Sequence, residues 1–269
     1  MIGVSYKGRL GNQLFQLVFF QYLRSQKNSS VIFLHNAHHA NVTKYFEFSP
    51  ELSYTGSRWY STLGRAVTKI FSFKDIYIHN FVSPKEIVPK DHTLYHGYFQ
   101  TDYYLKKISL DIKVKDFYSK KFNADFGEVF NGEKKVVVVH IRRTDYLNYG
   151  KRDISLPISF FKQQLNLIPD LDNYNVIFVS DDMEFVKKEF PEKPNYIFSS
   201  NDEITDFQII QNADIAIISN STFAWWASYL SPKKNLVIAP KNWVGFRIGR
   251  EHPRGIMTTK FNWVDVPVD

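Results

Sequence analysis

Two adjacent arginines, Arg142 and Arg143, follow directly on an apolar run, VVVVHI at 136–141, and Asp145 stands two residues further on. A run of that kind reads as a strand covered on both faces, and in parallel sheets ligands collect beyond the carboxyl ends of the strands. The arginines therefore stand at the mouth of a site, and an anion is the guest that their charge suits. A guanidinium presents a planar fork that holds phosphate oxygens in pairs, and it stays charged at any working pH. For both arginines the other reading is an ion pair with Asp145 or simple solvation. At least one of the two neighbouring side chains must turn away from the site.

Three further junctions share this polar character: Lys7 to Asn12, Ser180 to Asp182, and Ser219 to Phe223. In IISNSTFAWW, residues Asn220, Ser221 and Thr222 sit between a buried strand and an aromatic helix. Ser and Thr there suit helix capping, and the same helix start exposes backbone N–H groups suited to a phosphate. FVSDD at 178–182 ends a strand with Asp181 and Asp182, carboxylates that in nucleotide-binding sheets accept from ribose hydroxyls or base N–H groups. Asp182 equally suits the cap of the helix MEFVKKEF that follows it. Taken together, the junctions point to one shared phosphate. A departing pyrophosphate without a metal requires fixed positive charge, which Arg142 supplies.

Metal ligation finds weak support, and neither a metal nor another cofactor is expected. DLD at 170–172 has the spacing of a cation-binding pair but precedes its strand, which puts it at the wrong end of the sheet. His35, His38 and His39 cluster near a strand end with no carboxylate beside them to complete a site.

The elements that must position these residues are visible as alternation. Apolar runs at 136–141, 175–180, 195–198, 214–219 and 235–239 are separated by helical patterns at 158–168, 183–190, 203–213 and 222–230. This predicts a doubly wound α/β sheet of parallel strands. The N-terminal part opens the same way, with a strand at 1–6, a loop at 7–11, a helix from about Asn12 and a second strand at 31–35. Asn12 is then a candidate cap of that helix as well as a candidate site residue, and Gly8 and Gly11 suit a tight turn before it. The stretch 122–135, rich in glycine, asparagine and charge, predicts a linker, which places two domains at 1–130 and 131–269. After Pro240 the periodicity is lost, and 241–269 is expected to run back over the surface.

Composition sets the remaining bounds. The 269 residues contain no cysteine, which excludes disulfides and thiolate metal sites and fits a reducing cytosol. No stretch approaches the ~18 apolar residues of a membrane span, so a cytoplasmic protein is expected, at most peripheral on the inner face of a membrane. The net charge of +7 allows nucleic acid, an anionic membrane surface or a phosphorylated ligand. The lysines are dispersed as short pairs rather than gathered in a stripe, which argues against nucleic acid as a partner. A non-catalytic nucleotide- or glycan-binding module is the other class that would keep the same phosphate contacts.

In order along the chain, GRLGNQLFQ (8–16), GYFQTDYY (97–104), HIRRTDY (140–146), FVSDD (178–182) and SNSTFAWWASYL (219–230) resemble the α-1,2-fucosyltransferases of glycosyltransferase family 11. The resemblance covers about residues 3 to 243. Thr144 stands where that family usually has glycine, as in the related α-1,6-fucosyltransferases, and Ala227 replaces a second common glycine. These departures bear on acceptor and linkage. The resemblance implies a GT-B fold, two Rossmann-like domains facing across a cleft, with GDP-fucose as donor and an oligosaccharide or lipid-linked glycan as acceptor. It implies an inverting, metal-independent transfer to a galactose 2-OH. By the same resemblance Arg142 meets the β-phosphate, Ser221 and Thr222 meet the phosphates, and His140, Asp181 and Asp182 surround ribose and guanine. Arg143, Ser180, Asn220 and Phe223 complete the donor side. Arg9 and Asn12 match the G-R-x-G-N loop of protein O-fucosyltransferases, and Asp145 is a candidate to orient Arg142 or to take the acceptor proton.

Overall fold

The computed structural model describes residues 1–26, 31–35, 41–48 and 57–267. The chain divides into two compact units. The first takes Met1–Lys115 with His252–Thr258, and the second takes Asp116–Glu251 with Thr259–Asp269.

The first unit contains β1 (Ile2–Ser5), α1 (Leu10–Gln26), β2 (Ile32–His35), α2 (Val42–Tyr45), β3 (Phe46–Glu47), α3 (Arg58–Ile70), β4 (Lys74–Tyr77), β5 (Thr93–His96) and β6 (Lys113–Val114). Among the described residues its main sheet runs β2-β1-β5-β4, every pair parallel, while β3 and β6 form a short antiparallel pair. α1 buries nearly all round, and its Phe19 stacks on Phe99 at 3.8 Å with Tyr95 and Tyr104 edge-on. Phe99 has φ 51°, a left-handed conformation that costs a bulky residue about 1–2 kcal/mol. The stack on Phe19 is what holds it there. β4 is largely exposed, so its sequence shows no alternation.

The second unit contains α4 (Asp116–Asn131), β7 (Val136–Ile141), α5 (Ile158–Asn166), β8 (Asn175–Ser180), α6 (Met183–Glu189), β9 (Tyr196–Phe198), α7 (Glu203–Gln211), β10 (Ile215–Ile218), α8 (Thr222–Tyr229), β11 (Leu236–Pro240) and β12 (Asn262–Val264). Among the described residues the sheet runs β12-β11-β10-β7-β8-β9, parallel throughout. β7 is central, and its four valines are fully buried, each contributing about 1.5–2.5 kcal/mol relative to exposure. Side chains alternate faces along a strand. Val137, Val139 and Ile141 join Phe160, Phe161 and Phe178 in one core layer. His140 therefore turns to the opposite face, where its ring lies 6.1 Å from that of Phe223 on α8. Trp225 and Trp226 are fully buried, and Trp225 stacks on Tyr229 at 4.6 Å, which fixes α8 and hence its N-terminus at the end of β10.

Three expectations are corrected. The linker expected at 122–135 is mostly helix α4, whose Phe122 contacts Phe126 and Phe130 one and two turns on. The Gln208 amide of α7 donates to the Tyr118 carbonyl of α4 at 3.4 Å, so this helix belongs to the second unit, and the boundary lies at Lys115/Asp116 rather than 130/131. The segment expected to cover the surface is instead built in. β12 extends the sheet beside β11, Trp243, Phe246 and Phe261 are buried, and His252–Thr258 joins the first unit. Isolated aromatics that follow no period are buried here by tertiary contacts. Finally, α1 begins at Leu10, so Asn12 lies inside its first turn, and the Arg9 carbonyl accepts from Gln13 N–H at 3.0 Å. Asn12 is not the cap.

Candidate functional site

The loop after β7 is organised by Asp181. Its Oδ1 accepts the main-chain N–H of Arg143 at 2.8 Å, while its Oδ2 accepts the Thr144 hydroxyl and lies 3.2 Å from Arg142 Nε. The Arg142 guanidinium also meets Asp145 Oδ1 at 2.8 Å and lies 5.7 Å from the centre of the Tyr146 ring. Burial works against the Arg142 charge, but the hydrogen bond to Asp145 and the charges of Asp181 and Asp145 outweigh it, so its pKa lies above the ordinary value. The arginine stays cationic. Asp145 is 42% exposed against 19% for Arg142, so the pair opens to solvent on the carboxylate side.

Arg143 engages different partners: its Nε donates to Asp182 at 3.2 Å, and its guanidinium lies 3.8 Å over the Phe185 ring. Asp182 caps α6, accepting Phe185 N–H at 3.2 Å, and its own N–H donates to Ser180 Oγ at 3.0 Å. The capping reading of Asp182 therefore holds in this geometry. Asp181, expected near a ribose, has both oxygens engaged by the β7 loop. It positions Arg142 and Arg143.

At the end of β10, Ser219 Oγ accepts Arg142 N–H at 3.2 Å and lies 2.9 Å from His140 Nδ1. Burial first, and the Arg142 charge second, push the His140 pKa down to about 3, and the imidazole is neutral. Tyr146 donates to the Asn220 carbonyl at 3.2 Å, and burial raises its pKa to about 12, so the phenol keeps its proton. Asn220 Nδ2 donates to the Ile154 carbonyl at 2.8 Å, whereas Asn220 Oδ1 is buried with no hydrogen-bond partner among the described residues. Ser221 occupies the N-cap position of α8 without a side-chain cap bond, and Thr222 is the first helical residue. That hydroxyl does not satisfy the helix start, which leaves the anion-binding reading standing there. Phe223 packs between His140 and Phe207.

Beside this loop lies a hollow of about 370 Å³, lined by Arg142, Arg143, Ser155, Phe185 and Arg247 among others. A larger one, about 620 Å³, lies in the first unit among Gln21, Arg24, Glu47, Asp111 and Lys113, beside the short antiparallel pair β3–β6. The smaller hollow is at the carboxyl edge, where parallel sheets bind ligands. Sequence reasoning assigned no role to Ser219 or Tyr146. The signal for Ser219 is register: β10 pairs Ile218 with His140, which sets the next residue beside the start of the arginine loop.

In the first unit, Arg9 and Asn12 sit at the junction of β1 and α1. Gly8 has φ 76°, a conformation that favours glycine, and a Cβ there would crowd the Asn12 side chain, 2.6 Å from its Nδ2. Lys7 N–H donates to the fully buried Gln16, whose amide donates in turn to the Gly97 carbonyl at 3.0 Å. Gln13 donates to the Gly8 carbonyl at 3.0 Å. The loop is thus held from two buried amides on α1. Arg9 itself is exposed.

Asp170 of the DLD stretch lies before β8, at the amino end of the sheet, and His38 and His39 lie outside the described residues. His35 ends β2, and burial, with the charges of His96 and Arg65, lowers its pKa. Among the described residues no group of three or more His, Asp or Glu side chains gathers as for a metal ion.

Two parallel-sheet units with polar loops at their carboxyl edges are the architecture of the GT-B class. The sequence profile of glycosyl transferase family 11 matches residues 1–265, and the chain belongs to that family. Among curated proteins it is 31% identical over 114 residues to the O-antigen biosynthesis glycosyltransferase WbnK of Escherichia coli, covering 39% of this chain and 38% of that one. It is 32% identical over 124 residues to an alpha-1,2-colitosyltransferase of Escherichia coli, covering 40% of each. These matches span about two fifths of the relatives' length. Among solved structures, the fucosyltransferase NodZ from Bradyrhizobium superposes with a TM-score of 0.53 at 10% identity, over 86% of this chain and 93% of that one. A structure of NodZ alpha-1,6-fucosyltransferase co-crystallized with GDP superposes with a TM-score of 0.51 at 11% identity, over 86% and 92%. At such identities the likeness is one of fold.

Proposed function

We propose that this chain is an inverting fucosyltransferase that moves L-fucose from GDP-fucose to the 2-OH of a galactose residue in an oligosaccharide or lipid-linked glycan, without a metal. The observation that carries the reading is Arg142, kept cationic at the carboxyl edge of β7 beside the uncapped start of α8. Family membership, the E. coli glycosyltransferase relatives and the GDP complex of the structural neighbour support it.

In this mechanism the β-phosphate takes the Arg142 fork, and the phosphates meet the N–H groups at the start of α8 with the hydroxyls of Ser221 and Thr222. As the bond between fucose C1 and the phosphate oxygen breaks, charge develops on the departing GDP, and a preorganised cation stabilises it without reorganising. The acceptor hydroxyl attacks C1 from the opposite face of an oxocarbenium-like centre, which inverts the configuration. Asp145, the more exposed member of the Arg142 pair, is the candidate either to orient Arg142 or to take the acceptor proton. His140 and Asn220 lie on the donor side, where Asn220 Oδ1 suits a base or ribose donor. Arg9 and Asn12 are assigned to the acceptor side and the transition state. On this reading the protein is cytoplasmic, at most peripheral on the inner face of a membrane.

The test is transfer of labelled fucose from GDP-fucose to galactose-terminated oligosaccharides in excess EDTA, with the linkage read by NMR. An α-1,2 product formed in EDTA is expected. A requirement for manganese or magnesium, or an α-1,6 product, contradicts the proposal.

A further inference from the structure

α3 lies on the first unit's sheet by its small and polar side. Ser61 and Gly64 are buried, the Gly64 Cβ position is 3.4 Å from the Leu34 carbonyl, and the Tyr60 hydroxyl accepts Leu34 N–H at 3.0 Å. With 3.6 residues to the turn, Trp59, Leu63, Ala66 and Ile70 fall on one stripe. A surface helix ordinarily turns such a stripe to the core. Here it faces solvent: Trp59 is 62% exposed, Leu63 54% and Ile70 74%, and Phe71 continues it at 44%. Along its flank run Arg58, Arg65 and Lys69, all exposed, and residues 57–73 contain no carboxylate.

Single exposed apolar side chains are ordinary. A row of them on one helix, flanked by cations alone, is not. A helix with a strong apolar stripe, low overall hydropathy and basic flanks lies in the plane of the headgroup–acyl boundary, with tryptophan at that level and the stems of Arg and Lys reaching back to the headgroups. We propose that α3 is a docking surface for an anionic lipid bilayer, its Trp59–Ile70 stripe entering the boundary and Arg58, Arg65 and Lys69 meeting lipid phosphates. Charge complementarity selects the occupant: a cationic rim without carboxylates suits a surface of uniform negative charge. Among the described residues no helix is long and apolar enough to cross a membrane. The proposal deepens the reading of a transferase at a membrane face, and it is tested without donor or acceptor so that the two stand or fall apart.

The full chain is co-sedimented with phosphatidylcholine vesicles with and without phosphatidylglycerol. Binding is expected only to the anionic vesicles, lost in the triple variant Trp59→Ser, Leu63→Ser, Ile70→Ser. In the triple variant Arg58→Gln, Arg65→Gln, Lys69→Gln, which keeps the apolar stripe, binding should weaken about tenfold or more. Circular dichroism should show unchanged melting in both. Failure to bind anionic vesicles, or binding that neither variant weakens, overturns the proposal. So does a dimer by light scattering that the serine variant splits, since the stripe would then belong to a second copy.

Discussion

Gln100 Nε2 donates to Asn12 Oδ1 at 2.7 Å. The bond ends a run of amides within the first unit: Arg254 N–H donates to the Asn80 carbonyl at 2.7 Å, and Asn80 Nδ2 donates to Gln100 Oε1 at 3.2 Å. The side-chain oxygen of Asn12 is thereby engaged, which leaves its NH2 group for the role proposed above. On that proposal Gln100 is a positioning residue, itself tied through Asn80 to the main chain of Arg254.

Gln100→Ala should lower kcat about tenfold, because a slight misplacement of a group needed in the transition state costs rate rather than ground-state binding. The dissociation constant of GDP should stay within about threefold. Gln100→Glu has the same shape but no donor for Asn12, so it should be as slow as the alanine variant. Wild-type turnover in Gln100→Glu would reduce Gln100 to a packing residue.

His140 links the site to acid stability. Its folded pKa of about 3 lies below the ordinary 6.5, so on acidification the unfolded chain takes the proton first. The stability from a neutral, buried imidazole is full above pH 6.5 and is lost as the pH falls toward 3, with about 2 kcal/mol gone by pH 5. His140→Asn keeps a hydrogen-bonding side chain for Ser219 and cannot titrate. Urea unfolding at pH 7.5 and pH 5 should show a loss smaller by roughly that amount in the variant, and equal losses would contradict the assignment.

Asp102 is a buried carboxylate that accepts from Thr258 Oγ1 at 2.6 Å and pairs with Lys106 at 2.8 Å. Thr258→Val keeps the shape and removes the donor, which should destabilise the protein by about 1–3 kcal/mol. Melting by calorimetry reads it directly. An unchanged transition would mean that the return segment does not secure the first unit through this bond.

β7, β8 and β10 were legible as apolar runs, and their junctions were legible as places where charge follows a buried strand. What those charges do was less legible. Asp181 and Asp182 look alike in FVSDD, yet one clamps the arginine loop and the other caps α6, a distinction set by where β7 and β8 end in register. Ser219 and Tyr146 acquire their partners 77 and 74 residues away in sequence, beyond the reach of any local pattern. α4 hid behind Gly127 and Asn131, because a half-exposed helix tolerates both when its phenylalanines pack. The crossing at His252–Thr258 has no local signature, since Arg254 and Thr258 are fixed by Asn80 and Asp102 far upstream.

On the proposed function the Arg142 fork, and not merely its charge, stabilises departing GDP. Arg142→Lys keeps the charge and loses the planar pair of donors. Initial rates of fucose transfer by this variant, measured beside its melting temperature, test the claim most directly. A fall in kcat of about a hundredfold or more is expected, with the melting temperature unchanged. Turnover near that of the wild type in a fully folded variant would contradict it.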